Sequence, residues 1–256
     1  MSFDGRKEKL TFIAMNRITN SKNNSDKEEG KIEAAVDRRS FLMSAGIATS
    51  VGAFVLACSN DDPDPVTPPS GTVDLGSGDV GVLNYAYALE QLEAAFYTKV
   101  IDSPFTGMTD AEKTILTDIR DHEIVHRDFF KAALTAAAPT AIIPALEVDF
   151  STIDFTNRAA VLGAAKLFED TGVAAYNGAG NMIKDPNYLL LAGKIVSVEA
   201  RHAAVIRDLL MPKTASFAGD DVVDADGFDK AIDPATILAA VKPYVKTTIT
   251  GASVGK

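Results

Sequence analysis

Four long stretches of the sequence repeat apolar residues with the period of an α-helix, and each carries a glutamate in the middle of its apolar face. An ionised carboxylate that is buried without a partner costs several kcal/mol, so such helices need something in their shared core that neutralises the acids. The pattern therefore predicts an all-α four-helix bundle with a charged centre. The predicted helices span about residues 79–101, 109–137, 156–183 and 185–210.

Two of these helices begin at clear sequence signals. Thr109, followed three residues later by Glu112, matches a capping box, in which each side chain binds a backbone N–H group of the other residue. Asp185 followed by Pro186 matches an N-cap with proline at the first helical position. These signals support the predicted starts of the second and fourth helices.

The lengths of the connecting segments predict the topology. The links near 102–108 and 184–185 are short, which favours two antiparallel helical hairpins. The segment 138–155 can extend over roughly 60 Å, against about 36 Å for a 24-residue helix, so we expect a crossover that runs the length of the bundle. Asp233 before a proline predicts a short C-terminal helix that reaches about Val245.

Each predicted hairpin carries the same three metal-binding side chains: a lone glutamate in its first helix and a Glu-x-x-His pair in its second. Side chains at i and i+3 share one helix face, so each pair directs a carboxylate and an imidazole at one point. Four carboxylates and two imidazoles are the donors of dinuclear iron or manganese sites in bundles, and two divalent cations balance the four negative charges. The predicted ligands are Glu90, Glu123, His126, Glu169, Glu199 and His202.

Two other interpretations of these residues are open. In the first, the glutamates simply lie on solvated helix faces, although the apolar residues that flank them argue against that placement. His122, Glu123 and His126 also match the His-Glu-x-x-His signature of zinc proteases, in which both histidines bind zinc and the glutamate is the general base. That signature leaves the second Glu-x-x-His pair unexplained, so we expect His122 to support the site or to lie on the surface.

With its two lone glutamates and two Glu-x-x-His pairs, the chain from about 78 to 210 resembles the ferritin-like superfamily. It is close in pattern to rubrerythrins and to exported bacterial ferritin-like domain proteins. The resemblance implies the same six ligands, two iron or manganese ions, and a reaction with dioxygen or peroxide. That reaction is either oxidation of ferrous iron or reduction or disproportionation of peroxide. The alternative is a lipid-tethered structural or stress-related module that binds metal without turnover.

Three further residues lie near the predicted ligands. The resemblance implies that Tyr97 and Tyr176 support the ligands, and the alternative for both is core packing with the hydroxyl at a polar neighbour. Glu93 departs from the family pattern, because rubrerythrins carry an additional glutamate in their second half, where this chain has Gly172. Since Glu93 lies at the pseudo-symmetric place in the first half, we expect it to be an additional ligand or to support the others.

The first quarter of the chain resembles an export leader. Paired arginines at 38 and 39 precede a moderately apolar run over 41–57, which resembles a twin-arginine signal. The run ends in what resembles a lipoprotein processing box with Cys58 as the lipid attachment site, although Leu56 is bulkier than the residue usual there. We therefore expect a periplasmic, outer-membrane or cell-surface lipoprotein. The predicted divisions are a leader at 1–57, an acidic proline-rich tether at 58–76, the bundle at 77–212 and a C-terminal extension at 213–256.

The charge of the predicted mature chain limits its partners. From Cys58 onward there are 16 basic and 28 acidic residues, a net charge of −12. Such a field repels nucleic acid and attracts cations. The expected partners are metal ions, dioxygen or peroxide, and a membrane through the lipid at Cys58. One cysteine forms no internal disulfide, so the core alone stabilises the domain, and no sequence feature indicates cage assembly or another oligomeric state.

Overall fold

The computed structural model describes residues 71–256. The predicted twin-arginine signal at Arg38 and Arg39, the lipid attachment at Cys58 and most of the tether at 58–76 lie outside the described residues. Within 71–256, no helix combines the length and the apolar character that are needed to cross a bilayer.

Four long helices form two hairpins, which confirms the predicted all-α bundle. They are α1 (Gly78–Asp102), α2 (Asp110–Ala137), α3 (Arg158–Gly180) and α4 (Pro186–Leu210). Helix α1 packs along α2, α3 packs along α4, and α1 also contacts α3. The four central glutamates are thereby turned toward one interior space.

The helix starts follow the capping chemistry. The Glu112 backbone N–H donates to the Thr109 hydroxyl at 3.2 Å, and the Thr109 backbone N–H donates to Glu112 Oε2 at 2.9 Å, so the capping box is confirmed. Helix α3 begins at Arg158, slightly later than predicted. Thr156 is held outside the helix because its backbone N–H and its hydroxyl both bind Asp154 in a turn.

The segment between the hairpins, residues 138–157, runs along α1 as the predicted crossover. Near the start of α1, the side-chain amide of Asn84 donates to the Ala141 carbonyl at 2.8 Å. Two turns further on, Gln91 Oε1 accepts a hydrogen bond from the Leu146 N–H at 2.8 Å. Both amide side chains are buried, so they satisfy backbone groups of a segment that lies outside the helices.

An aromatic cluster fixes α1 against α3 and the crossover. Phe96 of α1 packs edge-on against Phe168 of α3 at 4.9 Å and against Phe150 of the crossover at 5.7 Å between ring centroids. Phe96 and Phe168 directly precede Tyr97 and Glu169 in the chain. The packing of these rings therefore sets the positions of two residues of the predicted site.

The C-terminal extension contains a short helix, as predicted. Helix α5 (Pro234–Val241) has Asp233 as its N-cap, with hydrogen bonds from two backbone N–H groups of the first turn. It ends before Val245, and Lys242–Tyr244 form a 3-10 turn instead. Pro243 accounts for the early end, because proline has no N–H for a further helical bond.

Two short strands join the two ends of the described chain. Strand β1 (Thr72–Asp74) pairs in parallel with β2 (Thr248–Thr250), and Leu75, which follows β1, is fully buried. Since β1 falls inside the range 58–76, regular structure starts before the bundle and within the predicted tether. A further 3-10 turn spans Ala215–Ala218.

The extension also lies directly on α3. The Ile232 N–H donates to the Ala174 carbonyl at 3.1 Å. A Cβ atom at Gly178 would lie only 1.8 Å from the Ile232 carbonyl oxygen. Glycine at this position is therefore what allows the two backbones to approach so closely.

Candidate metal centre

The six predicted ligands meet in the interior of the bundle. Their donor atoms form two groups, and within each group all atoms lie within 4.8 Å of one another. The glutamates have no solvent exposure, whereas His126 and His202 are 9% and 4% exposed, so the histidine side is the side nearer to solvent. The first group contains Glu90, Glu123, His126 and Glu199, and the second contains Glu123, Glu169, Glu199 and His202.

Glu123 and Glu199 belong to both groups, and each directs one oxygen at each histidine. His126 Nδ1 lies 3.8 Å from Glu123 Oε2 and 2.8 Å from Glu199 Oε1. His202 Nδ1 lies 2.8 Å from Glu123 Oε1 and 3.8 Å from Glu199 Oε2. A carboxylate with one oxygen in each half of a cluster has the geometry to bridge two ions.

The lone glutamates complete two nearly equivalent halves. Glu90 Oε2 lies 3.5 Å from His126 Nδ1, and Glu169 Oε2 lies 3.5 Å from His202 Nδ1. The same three distances therefore occur around both imidazoles, as expected for two hairpins that carry the same pattern. Each half contains one lone carboxylate and one imidazole of its own.

Eight donor atoms of this cluster are buried and have no hydrogen-bond partner among residues 71–256. The 2.8 Å separations are within ion-pair range, but the atoms are not in hydrogen-bonding geometry. One unsatisfied buried polar group costs about 1–3 kcal/mol, and more when it is charged, so eight together strongly favour a ligand. Oxygen and imidazole donors fit two divalent cations. The atoms are Oε2 of Glu90 and Glu169, both oxygens of Glu123 and Glu199, and Nδ1 of His126 and His202.

The two predicted tyrosines bind the lone glutamates across the hairpins. The Tyr97 hydroxyl donates to Glu169 Oε1 at 2.5 Å, and the Tyr176 hydroxyl donates to Glu90 Oε1. Each lone carboxylate thus has one oxygen held by a tyrosine and the other turned toward the cluster. The polar neighbour of each buried hydroxyl is a predicted ligand of the opposite hairpin.

Glu93 lies beside the cluster and is 3% exposed. A Cβ atom on Gly172 would lie 3.0 Å from Glu93 Oε1 and 3.7 Å from Glu199 Oε2, so the glycine leaves room for this carboxyl group. Burial and the charges of Glu123 and Glu199 raise the pKa of Glu93 well above its usual range. Its oxygens are in neither group of converging donor atoms.

Without a bound ion, protons balance the charges of the cluster. Burial raises the pKa of Glu169 to about 8 and, with the charge of Glu199, raises the pKa of Glu90 well above its usual range. Burial alone would lower the pKa of both imidazoles, but the carboxylates around them raise it to about 12. Burial would raise the pKa of Glu123, yet His126 and His202 lower it to about 2. Divalent cations would replace these protons.

An apolar cavity of about 40 Å³ lies next to Tyr176. Leu89 and Phe130 also line it, together with apolar residues of all four helices. Its apolar lining offers water few hydrogen-bond partners and favours small apolar molecules. Since the Tyr176 hydroxyl binds Glu90, Tyr176 contacts both the cavity and the cluster.

His122 does not direct a nitrogen into the cluster. It is exposed on α2, and its Nδ1 lies 3.0 Å from Nε2 of His202, the nitrogen that faces away from the glutamates. A zinc protease site needs His122 and His126 on one ion, and the described residues contain no such group. The contact with His202 was not predicted, because the two residues are 80 positions apart. The sequence indicates only that His122 lies near the site, because it is one helical turn before the predicted ligand His126.

A family model described as a ferritin-like domain matches residues 78–212. This range contains all four long helices and every residue of the two groups of donor atoms. A comparison with curated proteins finds no match.

Proposed function

The chain belongs to the ferritin-like domain family, and on that premise we propose that it is a di-iron or dimanganese carboxylate protein that reacts with dioxygen or peroxide. The observation that carries the proposal is the set of eight buried donor atoms without partners, supplied by four carboxylates and two imidazoles. This donor set suits iron or manganese, and its four carboxylates balance two divalent ions.

The glutamates and the tyrosines of the centre have different roles in metal binding. Glu123 and Glu199 would bridge the two ions, because each directs one oxygen into each half. Tyr97 and Tyr176 hold the lone carboxylates in orientation through their second oxygens. When bound, the ion pair would supply electrons to an O–O bond and polarise the oxygens it contacts. Because the four glutamates have no solvent exposure, bulk water is excluded from that chemistry.

The available electron donors limit the reactions that the centre could carry out. The chain has one cysteine, whereas a rubredoxin-type or iron–sulfur centre needs several thiolates. Reactions in which the substrate itself supplies the electrons are therefore favoured: oxidation of ferrous iron by dioxygen, or disproportionation of peroxide. The apolar cavity beside Tyr176 supports dioxygen as one oxidant, because it has the size and polarity that suit a small apolar molecule.

Export and lipid anchoring complete the proposal. The order of paired arginines, apolar run and Cys58 supports a twin-arginine lipoprotein that is tethered outside the cytoplasm. That route carries folded proteins, so iron or manganese would bind before export and avoid competition with zinc or copper outside. Cys58→Ser should move the protein from the membrane fraction to the soluble fraction. Retention in the membrane fraction would contradict the anchor.

The activity is tested by adding ferrous iron without oxygen, admitting dioxygen or peroxide, and following oxidant consumption. The wild-type protein should consume oxidant rapidly. Glu169→Gln removes a charged donor at nearly constant size, and it should weaken binding of the ion in the Glu169 and His202 half about 100-fold and abolish rapid turnover. Glu147→Gln is the control, because this exposed acid pairs with Lys246 outside the centre. Two bound ions without oxidant consumption would favour a metal-binding module without turnover.

A further inference from the structure

All three histidines of the chain lie in one row at the metal centre. The rings of His122 and His202 are nearly parallel, at 10°, with centroids 5.2 Å apart. The ring of His126 follows at 6.4 Å from that of His202. His122 is the exposed member of the row, and His202 and His126 are buried.

The row breaks the symmetry of the two halves. His122 directly precedes Glu123 on α2, and the equivalent position before Glu199 on α4 is Val198. His202 therefore has an imidazole against its outer nitrogen. In the described part of the chain, no side chain hydrogen-bonds to the outer nitrogen of His126.

The chemistry of a ligand imidazole fixes the direction of this hydrogen bond. Nδ1 of His202 faces the carboxylates, so it must keep its lone pair to bind an ion. Nε2 then carries the proton and donates it to Nδ1 of His122 at 3.0 Å. Such a partner fixes the ring and raises the basicity of the ligand nitrogen.

We propose that His122 is a positioning residue that orients His202, so that an ion in the Glu169 and His202 half binds more tightly than an ion in the Glu90 and His126 half. The inference rests on the proposed metal centre. Outer partners of ligand histidines contribute about 10–100-fold in affinity. Because His122 is exposed and water can replace it, the expected difference is about 10-fold.

A zinc titration of the metal-stripped full chain tests this inference. With ¹⁵N-labelled histidine, the signals of His202 and His126 report the filling of each half separately, and a competing chelator sets the free zinc. In the wild type, the His202 signal should change at about 10-fold lower free zinc than the His126 signal. It should also show a protonated Nε2 and a ligated Nδ1.

Three variants separate positioning from a general effect on the fold. His122→Ala should bring the two halves to similar zinc affinity, while the unfolding of the metal-free protein stays unchanged. His122→Asn should keep the wild-type order, because its side-chain oxygen lies near the place of Nδ1 and accepts the same hydrogen bond. Val198→Ala, at the equivalent position of the other half, should also keep the wild-type order.

The outcomes distinguish this inference from the proposed function. Two zinc ions with the same unequal affinities in the wild type and in His122→Ala would overturn the role of His122 and leave the metal centre intact. Equal affinities in the wild type would overturn it as well. Failure of the wild type to bind zinc at either histidine would overturn the proposed metal centre itself.

Discussion

The binding of two divalent ions should release about three to four protons at pH 7. His126 and His202, each with a pKa of about 12, hold one proton each, and Glu169, with a pKa of about 8, holds about 0.9 of one. Glu90, whose pKa lies well above its usual range, supplies up to one more. These protons must leave, because an ion needs the lone pairs that they occupy.

This release determines how affinity depends on pH. The overall binding constant for two divalent ions should rise by about three to four powers of ten per pH unit near pH 7. Calorimetric titration with cobalt in buffers of different ionisation enthalpy measures the protons directly. A release of one proton or fewer would contradict these protonation states, since it would mean that the ligands are already free or that the ions bind elsewhere.

The same shifts set the pH dependence of the metal-free fold. Both imidazoles have pKa values above the ordinary 6.5, so their stabilisation is complete below pH 6.5 and is lost as the pH rises toward 12. Glu169 keeps its proton up to about pH 8, whereas an unfolded chain loses it near 4.5, so it destabilises the fold increasingly over that interval. Glu123 stabilises above pH 4.5, and this contribution is lost as the pH falls toward 2. The melting temperature without metal should therefore fall from pH 5 to pH 8, and a rise would contradict these shifts.

Two substitutions test the tyrosine contact at the cluster and the packing of the extension on α3. Tyr97→Phe leaves Glu169 Oε1 without its hydrogen-bond donor. Loss of a hydrogen bond to a charged group costs about 1.5–3 kcal/mol. The zinc affinity of the Glu169 and His202 half should therefore fall about 10-fold or more. Unchanged affinity would show that the tyrosine only packs. Gly178→Ala drives a Cβ into the Ile232 carbonyl and should destabilise by about 1–3 kcal/mol in urea denaturation, with earlier proteolysis of the extension. Gly163→Ala, in open space on the same helix, should stabilise by about 0.5–1 kcal/mol, and equal effects of the two changes would contradict the close contact.

The helices and the cluster were predictable because their determinants are local. Periodicity places Glu90 and Glu123 on inward faces, and a Glu-x-x-His spacing sets two donors on one helix surface whatever the rest of the fold does. The short links and the long segment 138–157 then leave few ways to arrange four helices. The structure brings together all six predicted donors without a change of residue.

Contacts between distant segments were not predictable in the same way. Which carboxylate each tyrosine binds depends on the register of α1 against α3, and the sequence does not encode that register in any spacing. The pairing of β1 with β2 joins residues near the two ends of the described chain, and a three-residue strand in an acidic, proline-rich range carries no periodic signal. His122 and His202 likewise meet only through the packing of α2 beside α4.

Metal content is the most direct test of the dinuclear centre. The full chain, purified from its native compartment without added metal, should contain about two iron or manganese ions per chain by elemental analysis, and the count should fall in Glu169→Gln but not in Glu147→Gln. No metal, or a single zinc ion per chain, would contradict a dinuclear centre built on the four carboxylates and two imidazoles.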